Sequence, residues 1–315
     1  MPQTLNIIFA IAPIFAIIMF GYFLRKIGKL PKEFLDNSDF LIFWVFLPSL
    51  FFVKISNADL ESRPIIDFSL ILSLIFIFTL IYSFFSLKSF NISKSSSLPM
   101  IQGSCRINTV IVLAISSALY GVEGLEIAVL GSAVMVPLIN TSMPVFLLLL
   151  IRGEKVNIFN KIKTEILGNP IILSIVFGFT FNYLNLKEIP ILHPSLSIIS
   201  KATLPIMLIS LGASLKIKEM KGQVAPIVIS SIGKLILTPI IAIILCFLTL
   251  LPSDLTQIAV IYASVPTGVV VYSLVKRAKG DEKLASAIVT TQILLSFITM
   301  PILIILSEIL IDYRF

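Results

Sequence analysis

The chain has 315 residues, a mean hydropathy of +1.05, 57% hydrophobic residues and only 13% charged ones. A water-soluble chain of this size carries about a quarter charged residues, so a soluble globular protein is excluded and an integral membrane protein is indicated. The formal charge of +7 concerns loops rather than nucleic acid, as its distribution shows.

The first apolar run, Leu5 to Phe23, has no basic segment before it and is followed directly by Arg25-Lys26. A cleavable signal peptide has the opposite layout, so this run reads as a retained helix. Crossing about 30 Å of hydrocarbon takes roughly 20 residues. Runs of that length predict ten spans, at 5–24, 38–56, 65–86, 98–120, 125–151, 166–185, 193–215, 224–250, 256–275 and 284–309. They are apolar on all sides rather than alternating, which predicts helices and not barrel strands. Cys105 and Cys246 lie inside apolar runs without metal-ligand spacing and read as packed free thiols.

Seventeen lysines and arginines fall in the loops after spans 1, 3, 5, 7 and 9, against four on the other face: Lys54, Arg63, Lys187 and Arg314. Basic loops stay cytoplasmic, so both termini are expected outside, in a multi-pass protein of the plasma (inner) membrane. The surplus charge is an orientation signal and a contact for anionic lipid.

An internal repeat divides the chain into residues 1–157 and 158–315, two five-span halves of one membrane domain. Pro13 pairs with Pro170, Pro48 with Pro205 and Pro144 with Pro301 at one offset of 157 residues. Pro13-Ile-Phe-Ala-Ile-Ile-Met-Phe-Gly21 and Pro170-Ile-Ile-Leu-Ser-Ile-Val-Phe-Gly178 share five of nine residues. After a two-residue adjustment, Gly121-Val-Glu123 matches Gly280-Asp-Glu282. Five spans are an odd number, so the second half enters the membrane from the opposite side, as in carriers built from inverted repeats.

Two interruptions are repeat mates under that adjustment. Ser264-Val265-Pro266-Thr267-Gly268 breaks span 9, because proline lacks an N–H and clashes with the preceding turn while glycine tolerates φ > 0. Arg106-Ile107-Asn108-Thr109 sinks polar residues into span 4. Asn108 and Pro266 each lie about ten residues into their spans, roughly 15 Å at 1.5 Å per residue, near the midplane. Freed backbone groups there cost several kcal/mol unless protein, water or a ligand satisfies them. The two stretches are therefore expected to face each other and form a substrate site.

Arg106 either attracts an anionic substrate or snorkels to the cytoplasmic interface. Asn108 and Thr109 either bond a carboxylate or satisfy the break; Thr267 and Gly268 are their mates, as Pro266 is of Ile107, with Gly268 permitting close backbone approach. Lys234 is too deep in span 8 to snorkel easily and is a candidate for charge balance or coupling, whereas the shallower Lys201 reaches the outer interface. Asn140, Thr141 and Ser142 on span 5 and Thr290, Thr291, Gln292 and Ser296 on span 10 either line the path or bond helix to helix. Asn140 joins the substrate-binding candidates. The single His193 rules out a histidine metal cluster, and no carboxylate sits clearly at mid-membrane. Nucleotide, zinc-hydrolase and nucleophile-elbow motifs are missing, so no cofactor or metal is expected and the chain is not expected to be an enzyme.

Gly21-Tyr-Phe-Leu-Arg-Lys-Ile-Gly-Lys-Leu-Pro31, Val45-Phe-Leu-Pro-Ser-Leu50, Gly168-Asn-Pro-Ile-Ile172, Leu204-Pro-Ile-Met-Leu-Ile-Ser-Leu-Gly-Ala-Ser-Leu215 and Val289-Thr-Thr-Gln-Ile-Leu-Leu-Ser296 resemble the auxin efflux carrier family over nearly the whole chain. That family includes plant PIN-type carriers and bacterial permeases linked to malate, malonate and related acids. The resemblance implies ten helices in two inverted repeats, with helices 4 and 9 broken and crossing. It also implies a scaffold part, a substrate-carrying part and elevator-like movement. Asn108-Thr109 and Pro266-Thr267-Gly268 fit its crossover pattern, and by resemblance Asn108 and the Thr267 region bind a substrate carboxylate. Where the pattern places glycine and proline after Asn-Thr, this chain has Leu113 and Ile115. The long cytoplasmic loop of plant members is replaced by about fifteen residues between spans 5 and 6.

The expected function is a secondary carrier exporting or exchanging a small organic anion. The alternatives are a sodium- or proton-coupled symporter of related fold and a non-transporting receptor or channel. The expected partners are that anion and the lipid bilayer, with a homodimer left open and no nucleic acid.

Overall fold

The computed structural model describes residues 3–146, 163, 166–186, 189–217, 223–278 and 280–312. The regular elements among them are all helical. In order they are α1 (Gln3–Lys26), α2 (Lys32–Leu41), a π-helical turn (Ile42–Phe46), α3 (Leu47–Ser56), α4 (Ile65–Ser89), α5 (Lys94–Cys105), α6 (Thr109–Phe146) and α7 (Pro170–Tyr183). There follow α8 (Leu192–Ala213), α9 (Val224–Ile232), a second π-helical turn (Gly233–Leu237), α10 (Thr238–Leu248), α11 (Ser253–Ser264), α12 (Val270–Arg277) and α13 (Glu282–Asp312). Helices close their own backbone hydrogen bonds, which is what hydrocarbon demands of a spanning segment.

Seven helical stretches among the described residues are long and apolar enough to cross a bilayer, and Pro170–Tyr183 is a shorter apolar helix. Where span 4 is expected to give way to span 5, no separate loop intervenes. Gly121 alone turns the chain inside α6, with φ 63° and ψ −141°, a conformation that a Cβ would strain. The expected end of span 5, at 147–151, and its basic loop with Arg152, Lys155 and Lys161 lie outside the described residues.

Each π-helical turn sits just before a proline. The N–H of Leu47 reaches the carbonyl of Ile42 ahead of Pro48, and that of Thr238 reaches Gly233 ahead of Pro239. A proline ring collides with the carbonyl four residues back, that of Trp44 or Leu235 here, and a widened turn is one way to relieve that clash.

The chain forms two compact units. The first comprises residues 1–15, 66–119 and 215–315. Here Gly233 lies against the Tyr82 ring, the Tyr82 hydroxyl donates to the Ile229 carbonyl (2.9 Å), and Thr79 and Thr238 share a hydrogen bond (3.1 Å). A core of Ile227, Leu284, Ala287 and Ile288 joins α9 to α13. At Gly103 of α5 a Cβ would stand 2.6 Å from Ile288 Cγ2, so glycine is what lets α13 approach so closely.

The second unit comprises residues 16–65 and 120–214. Its helices also meet at glycines. Gly21 of α1 lies on the Ile209 carbonyl of α8, where a Cβ would collide. Gly178 of α7 lies on α3, where a Cβ would stand 2.9 Å from Ile55 Cβ and 3.5 Å from the Phe52 carbonyl. The Asn182 amide donates to the carbonyls of Ile55, Ser56 and Ala58.

Candidate functional site

Both expected interruptions are present, and they lie in the first unit. α11 stops at Ser264 because Pro266 cannot continue it and biases the residue before it toward extended backbone. Val265 accordingly has φ −66° and ψ 147°. α5 stops at Cys105, with Arg106 extended at φ −73° and ψ 151°. No proline or glycine makes this second break. Asn108 makes it, as the cap of α6: its Oδ1 accepts from the N–H of Ile111 (3.3 Å) and its carbonyl from Val112 (3.1 Å). Leu113 and Ile115, at the family's glycine and proline positions, lie fully buried inside α6.

The breaks meet backbone to backbone. The N–H of Asn108 donates to the Pro266 carbonyl at 3.0 Å. Gly268 faces the same strand of chain, a Cβ there standing 3.2 Å from the Ile107 carbonyl oxygen. A larger residue would push the two segments apart.

Most polar groups at this junction are already paired. The Thr267 hydroxyl donates to the Gln102 carbonyl (3.2 Å), and its N–H donates to Gln292 Oε1 (3.0 Å). Gln292 Nε2 donates onward to the Gly103 carbonyl (3.1 Å). Arg106 is buried and its Nε donates to Gln102 Oε1 (2.6 Å). One side-chain donor stands apart. Asn108 Nδ2 is buried, in a residue only 2% exposed, and has no hydrogen-bond partner among the described residues. A buried amide without an acceptor costs about 1–3 kcal/mol, which makes Asn108 Nδ2 the candidate ligand donor of this junction.

The surroundings of that amide are also donors. The N–H groups of Thr109 and Val110 open α6, and those of Gly268 and Val269 lead into α12. None of these four has a backbone acceptor among the described residues, and all four residues are partly exposed. Helix N-termini carry roughly half a positive charge and favour anions. The junction therefore offers hydrogen-bond donors and a positive field to one small acceptor group.

The remaining sequence candidates fall elsewhere. Lys234 is 1% exposed, in the π-helical turn between α9 and α10. In the same unit the Cys105 thiol meets Ser83 Oγ at 3.4 Å. Asn140 is half-buried in the second unit. Lys201 is exposed on α8. Gln102 is not among the sequence candidates, although an amide-glycine pair one turn ahead of a polar break in an apolar run is a usable signal.

A family model described as membrane transport protein matches residues 6–304. An uncharacterized transporter of Methanocaldococcus jannaschii is 26% identical over 291 residues, covering 87% of this chain and 91% of that protein. An uncharacterized transporter of Methanothermobacter thermautotrophicus is 23% identical over 298 residues, covering 92% and 94%.

Proposed function

This chain belongs to the membrane transport protein family, the auxin efflux carrier-like family its motifs resemble, and from that premise we propose that it is a secondary carrier for a small organic anion. It is a multi-pass membrane transporter and not an enzyme. The observation that carries the substrate class is Asn108 Nδ2, a buried donor without an acceptor where two helix starts meet. A carboxylate accepts from several donors at once and takes its charge to the positive ends of α6 and α12.

In this reading Asn108, Thr109 and Gly268 contact the substrate. Pro266 and Thr267 hold the backbone that does so, Arg106 attracts the anion, and Asn140 lines its path. Lys234 balances charge within the same unit. The ten-span, inverted-repeat architecture belongs to the proposal, and two contacts support it. Gly21 rests on Ile209, and its mate Gly178 rests beside Phe52, the mate of Ile209 at the 157-residue offset. The loop charges favour the inner membrane with both termini outside, and export is the direction the family favours.

Flux from proteoliposomes tests it. Purified protein loaded with unlabelled succinate or benzoate is expected to accumulate the labelled acid by saturable counterflow. Conductance without saturation would make it a channel, and binding without flux a receptor. Uptake that requires a sodium or proton gradient would make it a symporter.

A further inference from the structure

Gln292 ties both breaks to a third helix. Its carboxamide, fully buried on α13, accepts from the Thr267 N–H at 3.0 Å and donates to the Gly103 carbonyl at 3.1 Å. Each partner is a group that its own helix has released. The N–H of Thr267 lies past the end of α11. The Gly103 carbonyl would accept from the Ile107 N–H in a continuous helix, and α5 ends before that residue. A carboxamide can satisfy one donor and one acceptor at once, which no hydroxyl, carboxylate or ammonium of that reach does with fixed geometry.

The packing explains how Gln292 arrives there. Ile288 lies one helical turn before it, on the same face of α13, and Ile288 Cγ2 is the atom that a Cβ at Gly103 would strike at 2.6 Å. The missing side chain at Gly103 lets α13 close on α5, and the amide then falls between the two breaks. We infer that Gln292 is a positioning residue: a clamp that holds the junction of the two breaks in one geometry, so that Asn108 Nδ2 and the N–H groups at the starts of α6 and α12 are aimed before the anion arrives.

The inference rests on the carrier reading for its purpose but not for its first test. Pre-aimed donors lower the ordering cost of binding, so loosening them weakens affinity without altering later steps. Gln292→Met keeps length and volume and removes both hydrogen bonds. Gln292→Glu keeps the acceptor for Thr267 and replaces the amide donor to Gly103 by a carboxyl group that donates only when protonated.

Amide hydrogen exchange on the purified full-length protein, with no ligand added, reads the clamp directly. In the Met variant, exchange at Thr267 and at the bonded amides of the junction, Asn108, Ile111, Val112, Val271 and Tyr272, is expected to rise about tenfold, the effect of a lost buried hydrogen bond. α4 is expected to stay as protected as before. The Glu variant is expected to keep Thr267 protected. Unchanged exchange in the Met variant would overturn the clamp. Counterflow of succinate or benzoate reads the consequence: about a tenfold rise in KM with Vmax within twofold, and partial recovery in the Glu variant. Faster exchange with an unchanged KM would overturn the positioning role. Should the parent protein move neither acid, the carrier reading falls while the exchange result still decides the clamp.

Discussion

Thr203 donates its hydroxyl to the carbonyl of Phe46, 3.1 Å away and 157 residues earlier in the chain. That separation is the same offset that aligns Pro13 with Pro170 and Gly21 with Gly178. On the proposed inverted repeat, Phe46 and Thr203 are equivalent positions beside a two-fold relation, and contacts on either side are expected in exchanged pairs. The pairs Gly21 with Ile209 and Gly178 with Phe52 are exchanged in that sense. Phe46 also closes the π-helical turn ahead of Pro48, so the bond steadies a weakened stretch of helix.

Alanine at Gly21 or Gly178 is therefore expected to destabilise the protein by similar amounts, about 1–3 kcal/mol each from overpacking. Thr203→Val, which keeps the shape and loses the hydroxyl, is expected to cost about 1 kcal/mol. Thermal unfolding in detergent measures all three. A normal unfolding temperature for one glycine variant beside a large loss for the other would count against the paired arrangement.

The two ends of the Asn108 amide, the Oδ1 that caps α6 and the unpartnered Nδ2, can be separated by substitution. Asn108→Asp keeps the oxygen that caps α6 and puts a negative acceptor where the unpartnered donor was. It is expected to fold like the parent and to lose counterflow of organic anions. Asn108→Ala loses the cap as well, at about 1 kcal/mol, with the same loss of transport. Undiminished transport by a folded Asp variant would remove Nδ2 from the binding site.

The all-helical membrane class was legible because hydrocarbon leaves the backbone few ways to satisfy itself. The α11 break was legible in Pro266 for a similar reason, since an imide nitrogen cannot donate. The α5 break is written differently. Leu113 and Ile115 offer no kink, and the interruption is carried by the capping preference of Asn108, a preference that a helix interior can override. Gln292 was visible as a polar residue in span 10, but its partners were not. An amide in an apolar helix bonds whatever backbone the fold releases beside it, and which carbonyl that is depends on Gly103 letting α13 approach.

Arg106 Nε is engaged with Gln102 Oε1 at 2.6 Å, which holds the guanidinium beside the break. On the carrier reading its charge is expected to act on the substrate through space. Arg106→Gln is expected to weaken binding of anionic probes such as succinate at least tenfold, a difference of about 1.4 kcal/mol, and to leave a neutral amide analogue nearly unaffected. Thermal-shift titrations of the two probes make the comparison, and equal losses for both would mean that Arg106 acts by shape alone.

Lys234 poses the opposite problem, a cation without a visible partner. It is 1% exposed, no carboxylate is among the buried groups of the described residues, and no hydrogen bond or ion pair among those residues involves its amine. A desolvated cation contributes little to stability, and replacing such groups by apolar residues of similar volume is often neutral or stabilising by about 1–4 kcal/mol. Lys234→Met is therefore expected to fold with an equal or higher unfolding temperature. If the lysine is kept for transport, the loss must appear there. If the first unit carries the anion across, as the resemblance implies, removing one positive charge from it changes the charge moved per cycle by one. Counterflow measured against an imposed membrane potential is expected to become steeper or flatter than in the parent. A lower unfolding temperature with unaltered potential dependence would assign Lys234 to packing and take it out of charge balance.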